Sequence, residues 1–474
     1  MITTHIKPAK LLKQQTHQIP GQLLVTDYFF EVPLTHGATD KGEVQLFGRL
    51  ATKFEKPTVP LQDDGNGGFG NVKPIMCYLE GGPGFGNRDP QDNSITHYLI
   101  ARGYQVLFLD YRGVGNSSPV TAETLVLRGD VKAQAEYLKH FRADNIVMDL
   151  EAVRLSLMDG YPETKRTWSI FGQSFGGFVS LTYLSFFPRS LTEVFLTGGL
   201  APINRRADEV YKKTMVKVTQ RNEAYYAKYP EDREAIFHLT SFLRKNAPIA
   251  LPAGGTLTPE RFMTVGIVLG AHGGLDTLHG MVVKMQADID QVGFLTRPTL
   301  ASLEQMNSLD NNPLYAVLHE PIYNYAPGVS SNWSAHRVML NDVRFSWLHN
   351  PEQLGGPHKK YEQELYFSGE MIFPFHFDTY PELQKMKEVA EILAKATDWG
   401  ELYHLPTLEH NTVPVYAASY INDMYVDYDL AKESASRIRG IKTLETNSLH
   451  HNAIRARPDQ VIPQLFALRD DSID

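Results

Sequence analysis

A chain of 474 residues is too long for one compact core and implies two structural units, or one domain with a large insertion. Its 46 Lys and Arg against 54 Asp and Glu give a net charge of -8, with no long basic run, which argues against a nucleic-acid partner. A single cysteine, Cys77, excludes an intramolecular disulfide, and no run of eighteen apolar residues offers a membrane span. The first twenty residues carry lysines but no apolar segment, so they do not read as a signal peptide. The expectation is a soluble cytoplasmic protein without nucleic-acid or membrane partners; oligomeric state is not legible.

The first predicted elements are strands. Leu23 to Val32 and Glu43 to Ala51 are rich in β-branched and aromatic residues. A Pro/Gly/Asp-rich loop follows from Lys56 to Lys73, including Asp64-Gly65-Asn66-Gly67-Gly68. Short apolar runs then end repeatedly in glycine or aspartate. Ile75 to Leu79 leads into Glu80-Gly81-Gly82-Pro83-Gly84, Tyr104 to Leu109 into Asp110, Trp168 to Phe171 into Gly172, and Val194 to Thr197 into Gly198-Gly199. Such strands, alternating with helical patterns such as Asp144 to Met158, indicate a parallel sheet covered on both faces.

From about Pro202 to Leu408 helical patterns dominate, including Ala207 to Ala227 and Pro381 to Ala396, interrupted by loops such as Gly270-Ala271-His272-Gly273-Gly274. Strand character returns at Val413 to Ala418. A helix from Asp429 to Arg439 follows, stopped by Gly440, and then the strand Ile441 to Thr446. The expected organisation is an α/β core over residues 1–201 and 409–474, interrupted by a helical cap over residues 202–408.

Gly172-Gln173-Ser174-Phe175-Gly176-Gly177 sits between an apolar strand and a helical pattern. This is the context of a nucleophile elbow, in which flanking glycines permit a turn too tight for side chains. Ser174 is therefore the candidate nucleophile. Such a serine needs a base, and the base an orienting carboxylate. Both should follow it in the chain at the ends of later strands. Asp423 and His451 meet that requirement. Asp427 and Asp429 compete as the acid, although their approach to the next helix suits a cap, and His450 competes as the base. Gly81-Gly82-Pro83-Gly84 has the position of an oxyanion loop, with the N–H groups near Gly82 and of Phe175 as donors.

Other chemistries fit poorly. A dinucleotide fingerprint starting at Gly82 meets Asn87 where a glycine belongs, and a P-loop starting at Gly172 meets Phe178 where a lysine belongs. HExxH and CxxC patterns are absent, so neither a metal nor a cofactor is expected. Ser174 also argues against the aspartate nucleophile of epoxide hydrolases and dehalogenases. Asp110, Arg112 and Cys77 read as structural.

Taken together, Gly81-Gly82-Pro83-Gly84-Phe85, Asp110-Tyr111-Arg112-Gly113-Val114-Gly115-Asn116-Ser117 and Gly172-Gln173-Ser174-Phe175-Gly176-Gly177-Phe178 resemble the proline iminopeptidase (prolyl aminopeptidase) family. Val413 to Ala418, Asp423-Met424-Tyr425-Val426 and His451-Asn452 resemble its longer branch. The resemblance implies an α/β-hydrolase fold with a large, mostly helical cap. It also implies a serine exopeptidase that removes N-terminal proline from peptides with a free N-terminus. It favours His451, which directly precedes an asparagine, over His450, and it supports Asp423. Its usual residue before that histidine is glutamate, where this chain has His450.

The family's substrate needs an apolar slot for the ring and carboxylates for the charged terminus. Glu320 and Glu370, each among apolar and aromatic residues, are the candidates; the alternative for each is a helix cap or salt bridge. Trp333 and Phe373 are candidates to line the slot but read more simply as cap core. The rival functions are an esterase or amidase with the same triad, or a catalytically silent binding protein.

Overall fold

The computed structural model describes residues 5–55, 72–348 and 364–471. The loop expected between Lys56 and Lys73 lies, through Asn71, outside the described residues. The frame is a nine-stranded mixed sheet. Strands β1 (Lys10–Ile19), β2 (Leu23–Thr35) and β3 (Ala38–Lys53) form an antiparallel meander. Strand β3 also pairs antiparallel with β5 (Gln105–Asp110). From β5 the sheet is parallel through β4 (Ile75–Leu79), β6 (Trp168–Gln173) and β7 (Leu191–Thr197). After a separate two-stranded pair, β8 (Ile249–Ala250) and β9 (Thr256–Leu257), the sheet ends in β10 (Val415–Tyr420) and β11 (Ile441–Thr446). The spatial order is β1-β2-β3-β5-β4-β6-β7-β10-β11.

Strand periodicity divides the core. Ile75, Cys77 and Leu79 face one side with Leu107, Leu109 and Ile170, beneath the helices Ala143–Leu157 and Phe175–Phe186. Met76 and Tyr78 face the other with Val106, Phe108, Phe171 and Phe195, covered by Leu99 and by the helix Pro458–Asp470. Burial on both faces explains why β4 and β6 read as unbroken apolar runs rather than alternating ones. The chain leaves β4 to build β5 on one side and returns to build β6 on the other. Such a reversal opens a crevice at the strands' C-terminal ends.

Between β7 and β10 the described chain is mainly helical. Its longest helices are Ala207–Lys228, Asp232–Asn246 and Gly274–Val292. The helix expected over 381–396 is two, Pro381–Gln384 and Lys387–Lys395, parted by Met386, whose φ of -109° and ψ of 6° leave the helical region. Strand β10 starts two residues later than expected, after Pro414, which has no N–H for the ladder. Strand β1 carries no apolar alternation because its side chains from Lys10 to Gln18 are exposed on the sheet edge.

Arg112, in the loop after β5, is fully buried. It forks onto Asp149 through Nε at 2.7 Å and a terminal nitrogen at 2.6 Å, and donates to the carbonyls of Leu34 and His140. His36 adds a 2.8 Å contact to the same carboxylate. Burial would raise the Asp149 pKa, but Arg112 and His36 together hold it below the usual carboxylate range. The cluster ties β2, the loop after β5 and the helix Ala143–Leu157 into one unit, as expected for a structural Arg112. Asp149→Ala should cost about 3–5 kcal/mol by stranding the guanidinium. The check is a urea titration, and an unshifted midpoint would contradict it.

Candidate active site

The sharp turn after β6 is made by close approach. A Cβ on Gly176 would overlap the Leu79 carbonyl oxygen of β4, and one on Gly177 would overlap the Gly199 carbonyl oxygen. Without those side chains the helix Phe175–Phe186 starts directly against the strand ends. Ser174, at its N-cap, adopts φ 53° and ψ -122°, a conformation L-residues avoid at a cost of about 1–3 kcal/mol. Its N–H donates to the Thr197 carbonyl at 3.1 Å, and its own carbonyl accepts from Gly177 at 2.8 Å. The strained residue is thus held by the end of β7 on one side and by the first turn of its own helix on the other.

Two loops from the far end of the sheet meet it. His451 Nε2 lies 2.9 Å from Ser174 Oγ, and His451 Nδ1 lies 2.7 Å from Asp423 Oδ2. The other Asp423 oxygen accepts the N–H groups of Tyr425 (2.8 Å) and Val426 (3.1 Å). The carboxylate is therefore oriented by its own loop before it meets the imidazole. The Tyr425 ring stands edge-on to His451 with centroids 4.7 Å apart. Ser174, Asp423 and His451 are all buried.

The competing residues have other partners. Asp427 caps the helix Tyr428–Ser436, accepting from the Leu430 N–H at 3.1 Å. Asp429 pairs with Lys213 at 3.0 Å on the surface. The His450 ring packs at 4.9 Å from that of His272, and burial, with the charge of Arg221, lowers its pKa to about 4.

Burial alone would lower the His451 pKa. The charge and hydrogen bond of Asp423, joined by the nearby Glu370 carboxylate, outweigh burial and leave it raised above the ordinary histidine value. A base poised this way takes a proton from Ser174 Oγ readily and stores it as a stabilised imidazolium.

Gly82, with φ +132°, follows β4 in a conformation open to glycine. Its N–H and that of Phe175 belong to the two chain segments flanking Ser174, the arrangement an oxyanion site requires. Glu80, just before this loop, is buried. It accepts the Gly81 N–H at 2.7 Å and pairs with Arg455 from the short helix Ala453–Ala456 after His451. The oxyanion loop and the histidine loop are thereby bridged. Sequence reading gave no role to Glu80, Arg455, Tyr425 or Tyr315; Glu80, adjacent to the glycine loop, and Tyr425, within the Asp423-Met424-Tyr425-Val426 segment, carried local signals.

The two glutamates of the helical region part ways. Glu320 is buried, and its oxygens accept the N–H groups of Ser334 (3.1 Å) and Ala335 (2.9 Å) at the start of the helix Ser334–Met339. Asn332 and Trp333, both at positive φ, turn the backbone to present those donors. Glu370 is partly buried and accepts one side-chain bond, from the Tyr315 hydroxyl at 2.9 Å. It lies close enough to His451 for each to bear on the other's protonation. Burial, opposed by His451 and Tyr315, pushes the Glu370 pKa up to about 7. Burial likewise raises Glu320 to about 7 against the backbone N–H groups that it accepts. Trp333 bonds Glu391 through Nε1 at 2.9 Å, and Phe373 is fully buried and stacked on Phe375. Phe373 belongs to the hydrophobic core, and Trp333, partly buried, packs against it.

A serine elbow after a central parallel strand, with acid and histidine loops after the two final strands, defines an α/β-hydrolase. Residues 74–262 match the family model described as alpha/beta hydrolase fold. Proline iminopeptidase aneH of Aspergillus aculeatus is 40% identical over 100% of both chains. A proline iminopeptidase of Aeromonas sobria is 38% identical over 96% of this chain and 99% of its own. A crystal structure of proline iminopeptidase from Mycobacterium smegmatis aligns with 96% of this chain and 98% of its own, at a TM-score of 0.42 and 12% identity. The chain belongs to the proline iminopeptidase family. Among the described residues, no helix is long and apolar enough to cross a membrane.

The raised His451 fixes a pH dependence. Only neutral imidazole accepts the serine proton, so modification of Ser174 by a fluorophosphonate should slow as pH falls through a midpoint above the ordinary value of about 6.5. Asp423→Asn should move that midpoint down while slowing the reaction. Measuring labelling rate against pH tests both, and an unmoved midpoint in the variant would contradict the assigned cause.

Proposed function

We propose that this protein is a serine exopeptidase that releases N-terminal proline, or a similar small residue, from peptides with a free N-terminus. Ser174 Oγ attacks the carbonyl carbon of the first residue while His451 Nε2 takes its proton. Asp423 holds the imidazole with its proton on Nδ1 and stabilises the imidazolium. The N–H groups of Gly82 and Phe175 hold the oxyanion. Collapse of the tetrahedral intermediate transfers the His451 proton to the leaving amine and leaves a prolyl ester on Ser174. Water, activated by the same imidazole, then releases proline. The reaction needs no metal or cofactor.

The observation that carries the exopeptidase reading is the Glu370 carboxylate beside the triad. In an N-terminal residue only Cα separates the carbonyl carbon from the charged nitrogen, so the cation sits about 2.5 Å from the attacked atom. A carboxylate that selects a free terminus must therefore lie within electrostatic reach of the histidine, as Glu370 does. An imino cation would hold it ionised in the complex. Glu320, engaged by two backbone N–H groups, suits the role of a support behind that site. Tyr315, Tyr323 and Phe85 suit its apolar walls. The names of the relatives agree with this substrate class. We also assign residues 202–408 to a cap that restricts entry to short unblocked termini, and place the protein in the cytoplasm on the strength of its single, buried cysteine.

Hydrolysis of proline arylamide should far exceed that of its N-acetylated form; equal rates would refute the free-terminus requirement, and better turnover of short esters would favour an esterase. Glu370→Gln should lower kcat/KM for the free substrate by about a hundredfold, the scale of neutralising one partner of a desolvated ion pair. Labelling of Ser174 by an uncharged phosphonate should persist in that variant.

A further inference from the structure

Residues 267–274, the end of the 3-10 helix Thr264–Gly270 and the turn into the helix Gly274–Val292, lie against both loops that supply the acid and the base. The Tyr425 hydroxyl, two residues beyond Asp423, donates to the Ile267 carbonyl. The Tyr425 ring fills the space a side chain on Gly270 would need. Arg221 Nε donates to the Leu269 carbonyl at 2.8 Å, fixing this segment from the cap side. Contact with the base loop is made through His272. The His272 N–H donates to Asn452 Oδ1 at 2.9 Å, and His272 Nε2 accepts the His450 N–H at 3.0 Å. These two bonds grip the residues on either side of His451, one through the backbone of His272 and one through its ring.

We propose that His272 is a positioning residue: an insertion side chain that sets the height and orientation of His451 by holding the backbone immediately before it. The proposal rests on the reading of Ser174, Asp423 and His451 as the reacting triad. His451 is flanked by the bonds to His272, and its ring is steadied by Tyr425, which the same segment also holds. Seating the insertion and aligning the base are therefore one event. The imidazole at 272 works as an acceptor at Nε2, which requires the neutral ring with its proton on Nδ1. Burial and the positive charges of Arg457 and Arg221 favour that neutral form, and the neighbouring His450 ring packs against it. Protonation would turn the acceptor into a donor facing another donor.

The test compares His272→Ala with His272→Gln in the full-length protein, because a glutamine oxygen can stand where Nε2 accepts. Displacing a catalytic group by a fraction of an ångström costs about tenfold to a hundredfold in rate. His272→Ala should lose that much kcat on proline arylamide with KM changed little, and His272→Gln should recover most of it. Rates are normalised to folded protein by circular dichroism. The low-field proton signal of the His451 Nδ1–H bond to Asp423 should shift or broaden in the alanine variant and return in the glutamine variant. Full kcat in His272→Ala, or equal losses in both variants with an unmoved proton signal, would overturn the proposal. Ser174→Ala separates the two readings. If it abolishes turnover while His272→Ala does not reduce it, the triad stands and the positioning role falls.

Discussion

The site depends on one steric constraint, the seating of the helix Phe175–Phe186 directly on the carbonyl end of β4. The missing Cβ of Gly176 is what lets the Leu79 carbonyl come so close. That approach forces Ser174 into its left-handed conformation and aims its side chain out of the turn. It also brings the N–H of Phe175 beside the loop that begins at Gly81. The candidate nucleophile and the N–H groups proposed as oxyanion donors thus come from one packing event, and the strain at Ser174 is offset by burial of the helix on the sheet.

Around that point the two acids differ in how they are solvated. Asp423 replaces its lost water with two backbone N–H groups and the imidazole, so its orientation is set by its own loop. Glu370 has one hydroxyl and a largely apolar setting, and its affinity for protons rises accordingly. One carboxylate is satisfied by its own loop; the other accepts a single side-chain bond. Neighbouring carboxyl groups held in such different environments have their proton affinities pushed apart.

Much of this was legible in the sequence because it is local or ordered along the chain. The glycines around Ser174 and the apolar run before it are a contiguous signal. Asp423 and His451 follow strands, and in a parallel sheet strand ends share an edge. The antiparallel edge strand β1 was not legible, since exposed side chains leave no alternation to read. The separation of Glu320 from Glu370 was equally hidden. Both sit among apolar residues, and only the positive φ of Asn332 and Trp333 explains why one is claimed by backbone donors. The contacts of Arg455 with Glu80 and of His272 with His450 span 375 and 178 residues. No periodicity encodes such distances.

The wide separation of the reacting residues also has a consequence for the life of the chain during synthesis. Ser174 emerges from the ribosome 277 residues ahead of His451. The first sheet strands, the elbow and the whole insertion can form while the serine still lacks a base. Until the last two strands have been made, Ser174 has neither His451 nor, through it, Asp423 as a partner. The order of synthesis thus keeps Ser174 and its histidine partner apart until the last part of the chain has been made.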